Sequence, residues 1–67
     1  MIEAQNILVM KTVSGMAMAV AAAVDAMKMP EVVGCIAGDD TIMIAIRTAD
    51  DTILVMDKIK KMLRHGD

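Results

Sequence analysis

The sequence predicts an α+β fold in which two helices cover one face of a small sheet, in the order strand-helix-strand-strand-helix. Residues 7–10 form a continuous apolar run, and residues 32–37 and 42–46 are two further apolar runs separated by a Gly-Asp-Asp reversal. Segments of helical character follow the first and the third of these runs. Since 67 residues are enough for only one small core, we expect residues 1–67 to form one domain.

The first strand is predicted at residues 7–10, Ile-Leu-Val-Met, which are typical of a strand covered on both faces. The preceding residues 1–5 are too short and too mixed in character to predict a strand. Ser14 is expected to cap a helix over about residues 15–27. Residues 16–24 of that helix are apolar all round, so we expect one side to pack on the sheet and the other on a second subunit.

Pro30 ends this first helix, because proline lacks the amide donor and disfavours a helical conformation at the residue before it. The hairpin of the second and third strands follows. Thr48, with Asp51 three residues later, resembles a capping box and predicts the start of the last helix. The apolar positions that recur there at helical spacing, and are expected to face the sheet, are Ile53, Met56, Ile59 and Leu63.

Composition excludes several classes of protein. A net charge of −2 argues against a module that binds DNA unaided, because duplex affinity comes largely from Lys and Arg. With a single cysteine and a single histidine, no disulfide or zinc framework can form within one chain. The longest apolar run has nine residues, too few to span a membrane, and the N-terminus lacks a basic secretory start, so we expect a cytoplasmic protein. A chain this small with 57% hydrophobic residues is expected to be a homo-oligomer.

Asp39 and Asp40 are the residues with the clearest potential for chemistry, since both lie at the reversal between two apolar strands. They could act as general acid and base, as metal ligands, or as a site for a cation. No nucleophile and base lie near them, and one hairpin tip supplies too few oxygen ligands for calcium. A guanidinium pairs well with carboxylates through parallel hydrogen bonds. Ordinary turn chemistry, in which Gly-Asp-Asp simply suits a reversal, remains open.

Residues 34–42, Gly-Cys-Ile-Ala-Gly-Asp-Asp-Thr-Ile, resemble the signature of the effector-binding C-terminal domain of bacterial arginine repressors. Residues 6–12 are similar to the first matched strand of that family, and the alanine-rich helix ending at Asp25 is similar to its next element. The resemblance implies trimers that stack into a hexamer, with L-arginine as a co-repressor bound between them. It also implies a winged-helix DNA-binding domain preceding this one, so we expect the chain to be a piece of a longer protein that lacks the family's usual opening strand.

The resemblance implies a role for specific side chains. The acidic pair is implied to hold the guanidinium of arginine, and Asp25 to line the same pocket. Cys35 takes a position where many relatives have threonine, and Met18 one where they often have glutamine or histidine. The residues implied to bind L-arginine are Asp39, Asp40, Asp25, Ala37, Cys35 and Met18.

Taken together, these features predict the arginine-sensing and hexamerisation domain of a transcriptional regulator of arginine biosynthesis or catabolism genes. We expect no catalytic residue, metal or cofactor, with L-arginine as the ligand and DNA contacted only through the preceding domain. A domain that binds another amino acid, and a purely structural oligomerisation module, are the alternatives.

Overall fold

A computed structural model describes residues 1–65, with side chains up to residue 63. The four strands form one sheet in the spatial order β1-β2-β4-β3, and every neighbouring pair is antiparallel. In chain order the elements are β1 (Ile2–Ala4), β2 (Ile7–Lys11), α1 (Ala17–Ala26), β3 (Val32–Ala37), β4 (Thr41–Ile46) and α2 (Ala49–His65).

Both helices pack on the same face of the sheet, which confirms the predicted fold class. Helix α1 lies over β3 and β4, and α2 lies over β2 and β4. The central strands alternate, so that every second side chain enters the core between sheet and helices. The buried apolar residues are Leu8, Met10, Ala17, Ala21, Val24, Met29, Ile42, Ile44, Ile46, Val55 and Ile59.

The predicted hairpin is confirmed. Strands β3 and β4 are joined by residues 38–40, and the Gly38 amide donates to the Thr41 carbonyl at 2.8 Å, which closes the loop. The register pairs Ala37 with Ile42, next to the loop. Because the loop is this short, both acidic side chains are held at one end of the sheet.

The expectation that the opening strand is missing is wrong, because residues 2–4 form β1 at the edge of the sheet. A two-residue turn joins it to β2, with Ala4 paired to Ile7 and a φ of 56° at Gln5. The turn is also tied to the rest of the domain, since the Gln5 carbonyl accepts a hydrogen bond from the buried Thr52 hydroxyl at 2.8 Å. These contacts hold a strand whose own sequence does not predict one.

The predicted cap of the first helix is also wrong. Helix α1 begins at Ala17 rather than at residue 15, and its N-cap position is Met16, with no side-chain cap. Gly15 has a φ of 81°, a conformation that is outside the right-handed helix and costs glycine little. Ser14 therefore lies before the helix, and its hydroxyl is used at the acidic hairpin tip instead.

The start of α2 is confirmed, because the Asp51 amide donates to the Thr48 side-chain oxygen at 3.1 Å. The predicted buried face is only partly right. Ile59 is fully buried, but Ile53 is 59% exposed and Leu63 is 49% exposed. The face that meets the sheet is instead centred on the fully buried Thr52, Val55 and Ile59.

The face of the sheet that carries no helix is apolar as well. Ile2, Val9, Met43 and Ile36 are successive cross-strand partners, so they form one row across all four strands. Ile2 is 71% and Ile36 is 77% exposed, and Met43 is half exposed. Among residues 1–65, no helix is both long and apolar enough to cross a membrane.

Candidate functional site

The acidic hairpin tip, residues 38–40, is anchored to the segment that leads into α1. The Asp39 carbonyl accepts hydrogen bonds from the amides of Gly15 at 3.0 Å and Ala17 at 3.3 Å, and the Asp40 carbonyl accepts one from Thr12 at 2.6 Å. The first amides of a helix have no partner within the helix, so the Asp39 carbonyl supplies one of the missing acceptors. The backbone of the tip is thereby fixed at the N-terminal end of α1.

The Asp39 carboxylate is exposed and only partly engaged. One of its oxygens, Oδ2, accepts a hydrogen bond from the Ser14 hydroxyl at 3.0 Å. Within the part of the chain that the structure describes, no hydrogen bond reaches its Oδ1. A carboxylate held from one side in this way can accept further donors from solvent or from a ligand.

The Asp40 carboxylate has more partners. Its Oδ1 accepts a hydrogen bond from the Thr41 hydroxyl at 2.9 Å, and its Oδ2 lies 3.4 Å from the Lys11 ammonium. The Thr41 hydroxyl and the Lys11 charge together lower the pKa of Asp40 below its ordinary value, with the hydroxyl as the larger cause. Lys11 also donates to the Thr41 side-chain oxygen at 3.0 Å. One lysine thus partly offsets two carboxylates, and the tip remains net negative.

Ser14, Lys11 and Thr41 are contacts of the acidic pair that sequence reasoning missed. Ser14 was expected at a helix cap, and nothing local indicates its bond to Asp39. Lys11 could have been found from the register, because it is the cross-strand partner of Thr41, the residue that follows Asp40. The end of one strand and the start of its antiparallel neighbour must lie side by side.

Asp25 and Cys35 lie together at the other end of α1. The Cys35 thiol donates to the Asp25 Oδ1 atom at a sulfur–oxygen distance of 3.7 Å. Burial, and then the neighbouring Asp25 carboxylate, raise the pKa of the Cys35 thiol, because both disfavour the thiolate. Cys35 is therefore a weakly acidic thiol that donates to a carboxylate.

Within one protomer, the acidic tip and the contact between Asp25 and Cys35 lie at opposite ends of α1. The Asp39 carbonyl accepts a hydrogen bond from the Ala17 amide, and Asp25 is eight residues further along the same helix. At a rise of about 1.5 Å per residue, that separation is about 12 Å along the helix axis. Of the implied ligand-binding residues, the structure pairs Asp39 with Asp40 and Asp25 with Cys35, but does not join the two pairs in one chain.

Met18 and Ala37 occupy different positions relative to the tip. Met18 is the second residue of α1, directly after the amide that bonds Asp39, and it is 74% exposed. Ala37 is the last residue of β3, partly buried and packed against the core just before the tip. Met18 therefore offers an accessible apolar side chain in the first turn of α1, and Ala37 packs against the core where the hairpin begins.

Comparison with known proteins places this sequence in a family. The family model described as "Arginine repressor, C-terminal domain" matches residues 1–61. An arginine repressor of Lachnospira eligens is 66% identical over 63 residues, which are 94% of this chain and 42% of that protein. One from Lachnoclostridium phytofermentans is 68% identical over 60 residues, 90% of this chain and 40% of that protein.

A more distant arginine repressor, from Caldicellulosiruptor saccharolyticus, is 44% identical over 64 residues, which are 96% of this chain and 42% of that protein. The chain thus spans about two fifths of the length of the curated relatives that it matches. The matched region includes both ends of α1 and the acidic hairpin tip. The chain belongs to the arginine repressor family and corresponds to its C-terminal domain.

Proposed function

We propose that this chain is the arginine-sensing and oligomerisation domain of a cytoplasmic transcriptional regulator of arginine metabolism genes. In this proposal L-arginine binds between copies of the chain, with its guanidinium on the carboxylates of Asp39 and Asp40. The domain carries out no reaction. The observation that carries the proposal is the anchored, exposed and net negative hairpin tip.

The chemistry of the tip supports a guanidinium ligand. The Asp39 Oδ1 atom has no donor among the described residues, and the Asp40 Oδ2 atom has only a long contact to the exposed Lys11 ammonium. A guanidinium presents parallel N–H donors that match a carboxylate, and it sheds water more readily than an ammonium. The bound ligand would therefore engage Asp39 and compete with Lys11 for Asp40.

The proposal places the ligand between copies of the chain. Asp25 and the acidic hairpin tip lie at opposite ends of α1 within one protomer, about 12 Å apart along the helix axis. We propose that Asp25 of one copy and the carboxylates of Asp39 and Asp40 of a second copy engage the same ligand.

Two uncovered apolar surfaces of the described residues support self-association. One is the row formed by Ile2, Val9, Met43 and Ile36 on the outer face of the sheet, and the other is the exposed side of α1 around Ala19, Ala22 and Ala23. A domain of this size gains stability by covering such surfaces with further copies of itself. The family's trimers, stacked as a hexamer, are the assembly that we propose.

In this proposal, the binding of arginine and the assembly of the copies are thermodynamically linked. Clustered carboxylates from facing copies repel one another without a ligand, and a bound guanidinium replaces that repulsion with charge-assisted hydrogen bonds. A ligand that binds only the assembled form stabilises that form. In the full-length regulator, the preceding domain would transmit this change to DNA.

The primary test is the solution mass of the chain by light scattering, with and without millimolar L-arginine. Refractive-index detection is needed because the chain contains no Trp or Tyr. The proposal expects a trimer that becomes or tightens into a hexamer with arginine. An assembly that is unchanged by arginine, together with no heat of binding, would overturn it.

The site is tested by calorimetry on Asp39→Asn. Loss of one charged acceptor is expected to weaken arginine binding by about tenfold to a hundredfold while the domain stays folded. The matched control is Asp57→Asn, which neutralises an exposed aspartate on α2 that pairs with Lys61. Equal arginine affinity in the wild type and the Asp39 variant would contradict the assignment.

One observation favours a second candidate, a domain that binds a different amino acid. Met18 contributes an exposed thioether in the first turn of α1, the turn anchored to the tip, rather than a hydrogen-bonding group. A competition panel of amino acids separates the two, since arginine should be displaced only weakly by lysine or citrulline if the guanidinium is what the tip recognises.

A further inference from the structure

The nine methionines of the chain divide between the core and the surface. Met10 and Met29 are only 5% and 8% exposed and belong to the core between the sheet and the helices. Met18 is 74% exposed, the largest value among the methionines, and Met43 is half exposed on the outer face of the sheet. Because an oxidant must reach the sulfur, Met18 is the methionine most open to oxidation.

Across α1, which the structure describes in full, Met18 is the only long apolar side chain that is exposed. The exposed residues of this helix are Met18, Ala19, Ala22, Ala23, Asp25 and Ala26. The alanines end at Cβ and add little contact area, whereas a methionine side chain is long and adapts its shape to a partner. In a contact made through this side of α1, Met18 therefore supplies the largest apolar side chain.

The position of Met18 connects its exposure to the acidic hairpin tip. Met18 lies in the first turn of α1, next to Ala17, whose amide donates to the Asp39 carbonyl at 3.3 Å. Under the proposed function, a second copy covers the tip and the exposed side of α1 when arginine binds. The thioether of Met18 is then open to solvent in the ligand-free chain and enclosed in the liganded assembly.

We propose that Met18 is a modification site whose thioether is oxidised to a sulfoxide by hydrogen peroxide, and that the sulfoxide opposes the arginine-dependent contact between copies. The inference rests on the proposed function. In the reaction a sulfur lone pair attacks one oxygen of the peroxide and the O–O bond breaks. The sulfur gains that oxygen as a sulfoxide, the other oxygen leaves as water with both protons, and two electrons pass from the sulfur to the peroxide.

The sulfoxide opposes the contact because it places a strong hydrogen-bond acceptor on an apolar surface. Ala19, Ala22 and Ala23 offer it no side-chain donor, and the amides of the helix interior are already bonded within the helix. Burying an unpaired polar group is unfavourable, so the oxidised chain is expected to bind arginine about tenfold more weakly. Bound arginine should in turn slow the oxidation of Met18, since the assembled form covers the thioether.

The first experiment measures which methionines are oxidised. The chain is treated with hydrogen peroxide, with and without saturating L-arginine, and tandem mass spectrometry locates each sulfoxide. Met18 is expected to be oxidised at least about tenfold faster than Met10 and Met29, whose sulfurs are reached only when the core opens, and arginine should slow the reaction at Met18 by a similar factor. Equal rates at Met18 and the buried methionines, or a rate at Met18 that bound arginine leaves unchanged, would refute the proposal.

The second experiment measures the consequence by calorimetry with L-arginine on the wild type, Met18→Leu and the matched control Met43→Leu. Each protein is compared with itself before and after peroxide, so a change in its starting affinity does not enter. Peroxide should weaken arginine binding about tenfold in the wild type and in Met43→Leu but not in Met18→Leu, which keeps an apolar side chain without a thioether. Methionine sulfoxide reductases should restore the wild type.

The outcomes distinguish this proposal from the proposed function. Dithiothreitol, added after the peroxide, reverses any disulfide of the single Cys35 and leaves sulfoxides in place, and far-UV circular dichroism confirms that each protein is folded. If the untreated wild type binds arginine and peroxide weakens binding equally in all three proteins, or in none, the role of Met18 is overturned and the arginine-sensing function stands. If the untreated wild type does not bind arginine, both proposals fail.

Discussion

The buried hydroxyl of Thr52 is predicted to hold the opening hairpin on the domain. Thr52 is fully buried, and its hydroxyl oxygen lies 2.8 Å from the Gln5 carbonyl and 3.1 Å from the Thr48 carbonyl. Thr52→Val keeps the shape of the side chain and removes the donor. The Thr48 carbonyl still accepts the Thr52 amide at 3.2 Å, so the Gln5 carbonyl is the group that loses a partner.

The expected cost follows from this geometry. Removing one partner of a buried hydrogen bond costs about 1–2 kcal/mol of the free energy of unfolding. Thr52→Ser keeps the hydroxyl and removes a buried methyl group, at about 1 kcal/mol. Thr52→Ala removes both and should cost about 2–3 kcal/mol. For a domain of this size, each 1 kcal/mol corresponds to a fall in Tm of about 4–8 °C.

The assay is denaturant unfolding followed by far-UV circular dichroism, because the chain has no Trp or Tyr for fluorescence. All variants are compared at one protomer concentration, since self-association adds to apparent stability. The reasoning is refuted if Thr52→Val is as stable as the wild type while Thr52→Ser is destabilised. In that case Thr52 contributes packing alone, and the hairpin is held by its strand pairing.

Two further predictions concern the titrating groups near α1 and β3. The pKa of Glu31 is lowered by a backbone hydrogen bond and then by Lys58, whose ammonium lies 3.1 Å from the carboxylate. A lowered pKa stabilises the fold above the ordinary glutamate value of about 4.3 and is lost as the pH falls through the folded-state value. Urea midpoints from pH 6 to pH 3 should therefore fall more steeply for the wild type than for Glu31→Gln; parallel curves would contradict the ion pair. Burial and the Asp25 carboxylate raise the pKa of Cys35, so alkylation by iodoacetamide at pH 8.5 should be slower than for free cysteine and faster in Asp25→Asn. Mass spectrometry follows this single thiol, and an unchanged or lower rate in Asp25→Asn, with Asp57→Asn as control, would count against the contact.

The features that sequence predicted are those set by local chemistry. The β3–β4 hairpin follows from two apolar runs around Gly-Asp-Asp, and the start of α2 follows from Thr48 and Asp51. In both cases the residues that form the structure are within a few positions of one another. The carboxylates of Asp39 and Asp40 were predicted side by side for the same reason.

The features that sequence missed depend on distant partners. The start of α1 is set by the Asp39 carbonyl, more than twenty residues away in the chain, so Ser14 was misassigned as the cap. Strand β1 is held by its pairing with β2 and by Thr52, not by any pattern in residues 2–4. The buried face of α2 was shifted because the polar Thr52 takes a core position, and this leaves Ile53 exposed.

The contact between Asp25 and Cys35 shows why one part of the candidate site could not be found from sequence. The two residues are ten positions apart and meet only because α1 packs on β3. A contact formed by the packing of two elements is not predicted by either element alone.

The two ends of α1 explain why ligand binding and assembly would be one process. The N-terminal end holds the acidic tip through the Asp39 carbonyl, and the C-terminal end carries Asp25, which accepts a hydrogen bond from the Cys35 thiol. Where Asp25 of one copy and the acidic tip of a second copy engage the same ligand, the complete set of contacts exists only in the assembled form. Under the proposed function, arginine gains its full affinity from the assembled form, and the same free energy stabilises that assembly.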